Sequence, residues 1–311
     1  MMRLLVVCGP TATGKTALAA ELAHRLGTDL ISADSRQVYR GLDLGTGKDS
    51  QEYAKFAPPV RTHLIDIVDP EDGYSLFQYQ RDCYGVMEAL GQAGGRDAEA
   101  VMAGGTGMYL EAVLRRYRIA NVPENPGLRA GLMARSREDL EAELIRKDPA
   151  LAAKSDLSSA KRIVRALEVW EAGRSHPVEY SRMPERDFAF TVFGTRMDRA
   201  ELRARIDARL EARLAAGMVE EVEGLLRRGV SRERMQVLGM EYREITAYLT
   251  GSATREEMIA NLRHEIHLLA KRQETYFRGM ERRGVPITWL EPGQGADAVL
   301  ELWERGRRDH G

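Results

Sequence analysis

A chain of 311 residues has room for one large domain or two modest ones. Its 43% hydrophobic and 30% charged residues exclude an unfolded chain, and 46 basic against 47 acidic side chains exclude a histone-like polycation. Cys8 and Cys83 make no disulfide framework and no apolar run reaches the ~20 residues that cross a bilayer, so the expected setting is the cytoplasm.

From the amino end, short β-type runs alternate with helical periods. Leu4–Cys8 reads as a buried strand, and Ala17–Leu26 as a helix with Leu18, Leu22 and Leu26 on one face. Asp29–Ala33 is a second strand and His63–Val68 a third. Ser75–Leu90 has a helical pattern, and Ala98–Ala103 is a strand that closes on Gly104-Gly105. Continuously apolar strands of this kind belong in a sheet covered on both faces, so the expected fold class is α/β, a parallel sheet with flanking helices.

Between Ile119 and Arg186 this rhythm stops. Pro123 and Pro126 break the chain, and helical segments follow at Leu128–Ser136, Glu138–Lys147 and Ala160–Ala172. The expected organisation is a core of residues 1–118 and 187–311, interrupted by a helical insertion domain over 119–186. Phe188–Gly194 returns as a strand and Arg199–Ala215 opens a run of helices that reaches Arg283. Val285–Leu290 is a last strand and Asp297–Arg307 a closing helix.

Between the first strand and the first helix stands Gly9-Pro10-Thr11-Ala12-Thr13-Gly14-Lys15-Thr16, which fits G-x-x-x-x-G-K-[ST]. Glycines at these positions let the backbone wrap so that successive N–H groups face an anion beside a helix N-terminus. Lys15 adds a point charge, and the Thr16 hydroxyl can hold Mg2+. All eight residues are therefore candidates for binding a di- or triphosphate. Phosphoryl-transfer enzymes with this loop usually end a further strand on a magnesium-holding acid, but Ala98–Ala103 runs into Gly104-Gly105-Thr106-Gly107 with no carboxylate. Asp34, Asp66 and Asp69 are the available acids. Asp34 follows the strand after the loop's helix and so opens on the same cleft, the competing reading being that it caps a turn at Ser35.

Further segments stand in a fixed order: Asp34-Ser35-Arg36-Gln37-Val38-Tyr39, Gly104-Gly105-Thr106-Gly107-Met108-Tyr109, Lys161 through Val169, and Lys271-Arg272-Gln273. With the phosphate loop, this set resembles the bacterial tRNA dimethylallyltransferases over nearly the whole chain, from Leu4 to about Arg278. The chain departs from that pattern twice. It reads Gly239-Met240-Glu241-Tyr242-Arg243 where a Gly-Tyr pair is common, and Tyr276-Phe277 where a Trp is usual. Both departures lie in regions that the resemblance assigns to tRNA contact.

The resemblance implies transfer of a dimethylallyl group from its diphosphate to the exocyclic amine of the adenine 3′ of the anticodon. A carbon–oxygen bond would break and pyrophosphate would leave, its charge neutralised by Lys15, the loop amides and magnesium on Thr16. The adenine amine is a poor nucleophile, and Asp34 is the carboxylate expected to take its proton. Thr11 matches a position that contacts the amine or the diphosphate, and Thr106 could bond the substrate from the neighbouring strand end. Arg205 matches an arginine that faces the leaving group, although Arg203 and Arg209 stand close by. The base would flip into the pocket, as a stacked base could not reach it. Arg162 and Arg165 lie three apart on one helical face. Together with Lys161, Ile163 and Val164 of the same segment, they are expected tRNA contacts. Asp34, Ser35, Arg36, Gln37, Gln236, Arg243, Lys271, Arg272, Gln273 and Arg278 complete that set. The expected partners are thus an anticodon stem-loop and dimethylallyl diphosphate, with the chain acting as a monomer. Cys8 reads as packing, and His264 and His267, three apart without further ligands, as incidental.

Three rivals share parts of this pattern. A small-molecule kinase accounts for the phosphate loop and leaves the Lys161–Val169 and Lys271–Gln273 segments idle. Isopentenyltransferases of free AMP, ADP or ATP share the core motifs but need no insertion of this size. An RNA-binding module with a nucleotide switch would give no covalent product.

Overall fold

The strand that carries the phosphate loop lies inside the sheet, all but one of its seven residues buried. In the computed structural model, which describes residues 1–95, 98–185 and 187–308, β1 (Met2–Cys8) is flanked on both edges. Among the described residues the sheet has five further strands: β2 (Leu30–Ser32), β3 (Thr62–His63), β4 (Glu99–Gly104), β5 (Phe188–Gly194) and β6 (Ile287–Trp289). All pairings are parallel, in the spatial order β3-β2-β4-β1-β5-β6. In register, Leu4 stands between Ala100 of β4 and Phe190 of β5.

Alternate residues of β1 feed two cores, as a strand's period of two requires. Leu4, Val6 and Cys8 pack with Tyr79, Cys83, Leu110, Val113 and Phe277. These come from α3 (Leu76–Gly94), α4 (Gly107–Leu114) and a long helix from the carboxyl-terminal half. Leu5 and Val7 face the other way, onto Ala19, Leu22 and Ala23 of α1 (Lys15–Leu26) and onto Val299 and Trp303. Cys8 is wholly buried, and desolvation pushes its thiol well above the usual range, consistent with packing. A short α2 (Ser50–Ala54) lies between β2 and β3.

The expected third strand is cut short. Leu64 (φ 62°) and Asp66 (φ 55°) sit in the left-handed region, where no strand can continue, so β3 ends at His63 and Val68 keeps only a single bridge to Tyr39.

The chain forms two compact units, Met1–Arg116 with Pro184–Gly311, and Tyr117–Met183. The boundary read at Arg186 falls outside the described residues, as does His310. The smaller unit holds α5 (Pro126–Met133), α6 (Arg137–Lys147), α7 (Pro149–Lys154) and α8 (Ala160–Ser175) around Leu132, Leu140, Leu144, Ile163, Val164 and Leu167. Asn125, Ser136 and Asp148 each cap a helix by accepting from a first-turn N–H. Buried Glu168 is held by Arg129 (2.6 Å) and the Asn125 N–H (3.1 Å). Burial opposes its ionisation, but these donors bring its carboxyl below the usual range.

In the larger unit, α9 (Arg199–Ala215), α10 (Met218–Arg227), α11 (Arg232–Leu238), α12 (Met240–Leu249) and α13 (Arg255–Arg282) enclose a third core with Val38, Tyr39 and Leu42. A capping box of Thr254 and Glu257 starts α13, which at 28 residues runs ~42 Å. α14 (Ala296–Arg308) closes the chain. Among the described residues, no helix is long and apolar enough to cross a membrane.

Candidate active site

Parallel strands bring their carboxyl ends to one edge, and the loops that leave β1, β2, β4 and β5 all emerge there. The loop after β1 wraps as its sequence requires. Gly9 has φ +154°, Ala12 +64° and Gly14 +83°, all positive values that turn successive amides inward. A Cβ on Gly9 would lie 2.1 Å from Thr195 Oγ1, so only glycine allows the loop to close on the end of β5. The Thr13 hydroxyl donates to the Pro10 carbonyl (2.8 Å) and meets Thr195 Oγ1 at 2.7 Å, which shapes the loop rather than offering a ligand group.

Lys15 donates to the same Pro10 carbonyl at 3.2 Å. The residue as a whole is partly exposed, but its ammonium is turned into the loop. That desolvation lowers its pKa to about 8, with Asp34 pulling the other way and Arg209 reinforcing the fall.

Asp34 leaves β2 at the cleft that Thr11, Lys15, Thr16 and Gln37 also line. Its Oδ1 accepts from the Arg36 N–H at 2.9 Å, so the turn-capping reading holds for one oxygen while the carboxyl group still borders the cleft. Thr106 has a different job from the one read in the sequence. Its hydroxyl oxygen accepts from the Ser35 N–H (3.0 Å) and donates to Ser35 Oγ (3.3 Å), so it braces the turn that carries Asp34.

Opposite the phosphate loop, the arginines of α9 face different cavities. Arg205 and Arg209, one turn apart, line a cavity of about 280 Å³ with Gly14, Lys15 and Thr16, whereas Arg203 faces a separate cavity. Arg205 pairs with Glu201 at 3.3 Å. The sequence reading did not select Arg209, which borders both clefts and is fixed by Asp49 at 2.6 Å. Its signal was the i,i+4 spacing from Arg205. Gly47, at φ +65°, lies so close to Arg209 and Arg213 that a Cβ there would strike both guanidinium groups.

The expected RNA contacts divide by burial. Lys161, Arg162, Gln236, Lys271, Arg272 and Arg278 are exposed, as is Arg36, whose guanidinium donates to the Val237 carbonyl. Ile163 (0%) and Val164 (1%) are corrected to core residues, because a side chain closed inside the helical unit has no surface to offer RNA. Arg165 donates to the Val122 (2.8 Å) and Ala120 (3.3 Å) carbonyls and stands by Glu168, a fixed internal brace. Arg162 holds only Asp156 and Ser158, both at 2.7 Å. Arg243 is paired with Glu244 and Glu265, Arg278 with Glu274 at 3.3 Å, and the Gln37 amide donates to the Gly47 carbonyl at 3.2 Å. Gln273 spends both ends of its amide within the protein. Its Oε1 accepts from the Thr11 N–H (2.8 Å) and its Nε2 donates to the Gly105 carbonyl (3.0 Å).

The two departures are also placed. The Tyr276 hydroxyl meets buried Glu111 at 2.6 Å, and Glu241 is half-buried, its carboxyl raised by desolvation against the pull of Arg213 and Arg36. His267 pairs with Asp207 at 2.9 Å. Among the described residues, no group of three or more His, Cys, Asp or Glu side chains is arranged to hold a metal.

The family model described as IPP transferase matches residues 37–280, and that described as isopentenyl transferase matches 2–66. The chain is 44% identical over 304 residues to tRNA dimethylallyltransferase 1 of Porphyromonas gingivalis, covering 96% of this chain and 99% of that one. It is 46% identical over 303 residues to tRNA dimethylallyltransferase 1 of Geotalea uraniireducens, covering 96% and 97%. Among solved structures it is similar to the tRNA isopentenylpyrophosphate transferase of Bacillus halodurans, with a TM-score of 0.69, 29% identity and 99% of each chain covered.

Proposed function

The chain belongs to the IPP transferase family and transfers a dimethylallyl group to tRNA, and we propose that this group passes from dimethylallyl diphosphate to the exocyclic N6 amine of the adenine 3′ of the anticodon. The observation that carries this reading is the cleft shared by the phosphate loop and Asp34.

In the proposed step a bond forms between N6 and the first carbon of the donor, and that carbon's bond to oxygen breaks. Pyrophosphate leaves with the electron pair, and the N6 proton goes to Asp34. Ala12, Gly14 and Thr16 of the loop, with the Lys15, Arg205 and Arg209 side chains, surround the proposed position of the leaving group, where fixed positive charge is worth most. Thr11 offers its side chain to the reacting centre, since its N–H is already held by Gln273. A magnesium ion fits the donor set. The Thr16 hydroxyl is a hard oxygen on the cleft wall beside Lys15, and a bound ion would add charge neutralisation to the leaving diphosphate.

The acceptor adenine would be flipped out of its loop at a cost of a few kcal/mol. Arg36, Gln236, Arg243, Lys271, Arg272 and Arg278, with Lys161 and Arg162 of the helical insertion, are the proposed contacts to the anticodon stem-loop. The proposal is completed by a monomer as the acting species and by a cytoplasmic setting, the latter supported by the tRNA substrate.

The test incubates the protein, magnesium and labelled dimethylallyl diphosphate with an unmodified anticodon stem-loop containing an A-A-A run, and in parallel with AMP and ATP. Label in the RNA alone is the expected outcome. Label in a mononucleotide would move the acceptor to the free nucleotide, and ATP hydrolysis with no labelled product would return the chemistry to a kinase.

A further inference from the structure

Donor and acceptor are presented by different strands. The phosphate loop leaves β1 and the Asp34 turn leaves β2, with β4 between them. Alkyl transfer needs the reacting atoms within ~3–3.5 Å, so the spacing of those two loops bears directly on the rate.

One side chain spans them. The Gln273 amide takes the Thr11 N–H of the phosphate loop at 2.8 Å and gives its own N–H to the Gly105 carbonyl, at the end of β4, at 3.0 Å. The next residue, Thr106, accepts from Ser35 and donates its own N–H to the Ala33 carbonyl at 3.2 Å. A continuous path of hydrogen bonds therefore runs from the donor side through Gln273, Gly105 and Thr106 to the residues on either side of Asp34. The fit is close, because a Cβ on Gly105 would lie 2.4 Å from Gln273 Nε2. One turn along α13, the Tyr276 ring packs so tightly on Gly107 that a Cβ there would come within 2.2 Å of it. The Tyr276 hydroxyl and the Arg283 guanidinium (2.6 and 2.7 Å) both lie on Glu111, which pins α13 to α4.

We propose that Gln273 is a positioning residue for the transfer, its amide setting the distance between the donor loop and the acceptor turn. The inference rests on the reaction proposed above. A primary amide suits the task because it carries an acceptor and a donor on one planar head. Asparagine would be a methylene short, and glutamate would turn a second oxygen toward the Gly105 carbonyl.

Two variants of the full chain test this. Gln273→Met keeps the length and loses both bonds. Gly105→Ala displaces the amide without altering Gln273, and its other close contact, Lys15 Cε at 3.5 Å, is an ordinary one. With dimethylallyl diphosphate and anticodon stem-loop RNA, each variant should bind both substrates within threefold of the parent. Its saturated single-turnover rate should fall on the order of 10- to 100-fold. The double variant should be no slower than the slower single, since both remove the same link. A tenfold loss of RNA affinity with the saturated rate retained would overturn the proposal and make Gln273 an RNA contact. Full activity in Gly105→Ala, or losses that multiply in the double variant, would overturn it too. Should Gln273→Met not fold, Gly105→Ala alone still decides. An unaltered chain that makes no dimethylallyl-RNA would instead count against the functional reading.

Discussion

Lys15 has its ammonium turned inside the phosphate loop, and desolvation sets its pKa at about 8. Below that pH the free site already carries its proton, so a diphosphate gains nothing from further acid. Above it, the ligand must draw a proton onto Lys15 as it binds, and affinity should fall by up to about tenfold per pH unit. Titration of dimethylallyl diphosphate between pH 6.5 and 9.5 should give a flat region and then a decline. Lys15→Arg, whose guanidinium stays charged, should remove the break; a break that survives in that variant would belong to another group. Asp34 makes the complementary case. Its Oδ1 is engaged by the Arg36 N–H, a bond that Asp34→Asn can keep through its carbonyl oxygen, so the turn should hold while the proton acceptor is lost. Turnover with RNA should drop on the order of 10²–10⁴-fold with tRNA affinity retained. Near-normal rates would remove Asp34 from that role.

At the level of elements, α8 separates two arginines that look equivalent in sequence. Arg165 braces the Ala120 and Val122 carbonyls and stands beside Glu168, whereas Arg162 lies on the surface with Asp156 and Ser158. Arg165→Glu would set a second carboxylate against Glu168 and release the Ala120 and Val122 carbonyls, so it should lower the thermal stability of the protein. Arg162→Glu should leave the melting temperature within about a degree, an exposed pair being worth ~0–1 kcal/mol, and weaken only RNA binding. Equal melting temperatures for the two variants would contradict this division.

The same contrast marks how far the sequence could be read. Spacing put Arg162 and Arg165 on one face, but which of them turns inward depends on where the chain crosses beside α8, and three-residue spacing carries no record of that. The strands and the phosphate loop were legible because their apolar runs and glycines are local requirements. Helix α4 was not, since Tyr109 through Leu114 are all buried and leave no polar face from which to count a period. Strand β3 was read too long because the first positive φ falls on Leu64, a residue type that seldom adopts one and so gives no signal of a break. In the cleft, Asp34 was found by its place after a strand. Arg209 and the bracing roles of Thr106 and Gln273 depend on partners 71 to 262 residues away.

Across the whole molecule, 46 basic and 47 acidic side chains nearly cancel, so attraction to RNA has to come from local exposure rather than net charge. Lys271 and Arg272 are exposed on α13, and Arg36 and Gln236 on other elements of the same unit. The tRNA dissociation constant should therefore rise linearly with salt on logarithmic axes. Arg272→Ala should reduce that slope by about 0.7–1, the share of one phosphate contact; an unchanged slope would mean that Arg272 meets no phosphate.

The clamp on the phosphate loop also has a place in time. Thr11 and the Gln273 amide that holds its N–H are 262 residues apart in sequence. A nascent polypeptide halted between Thr16 and α13 already contains the complete phosphate-loop motif but lacks its fastening. On the proposed role of Gln273, competence to modify tRNA is thus acquired only once α13 has been made, and products that stop short of it carry the motif without its fastening.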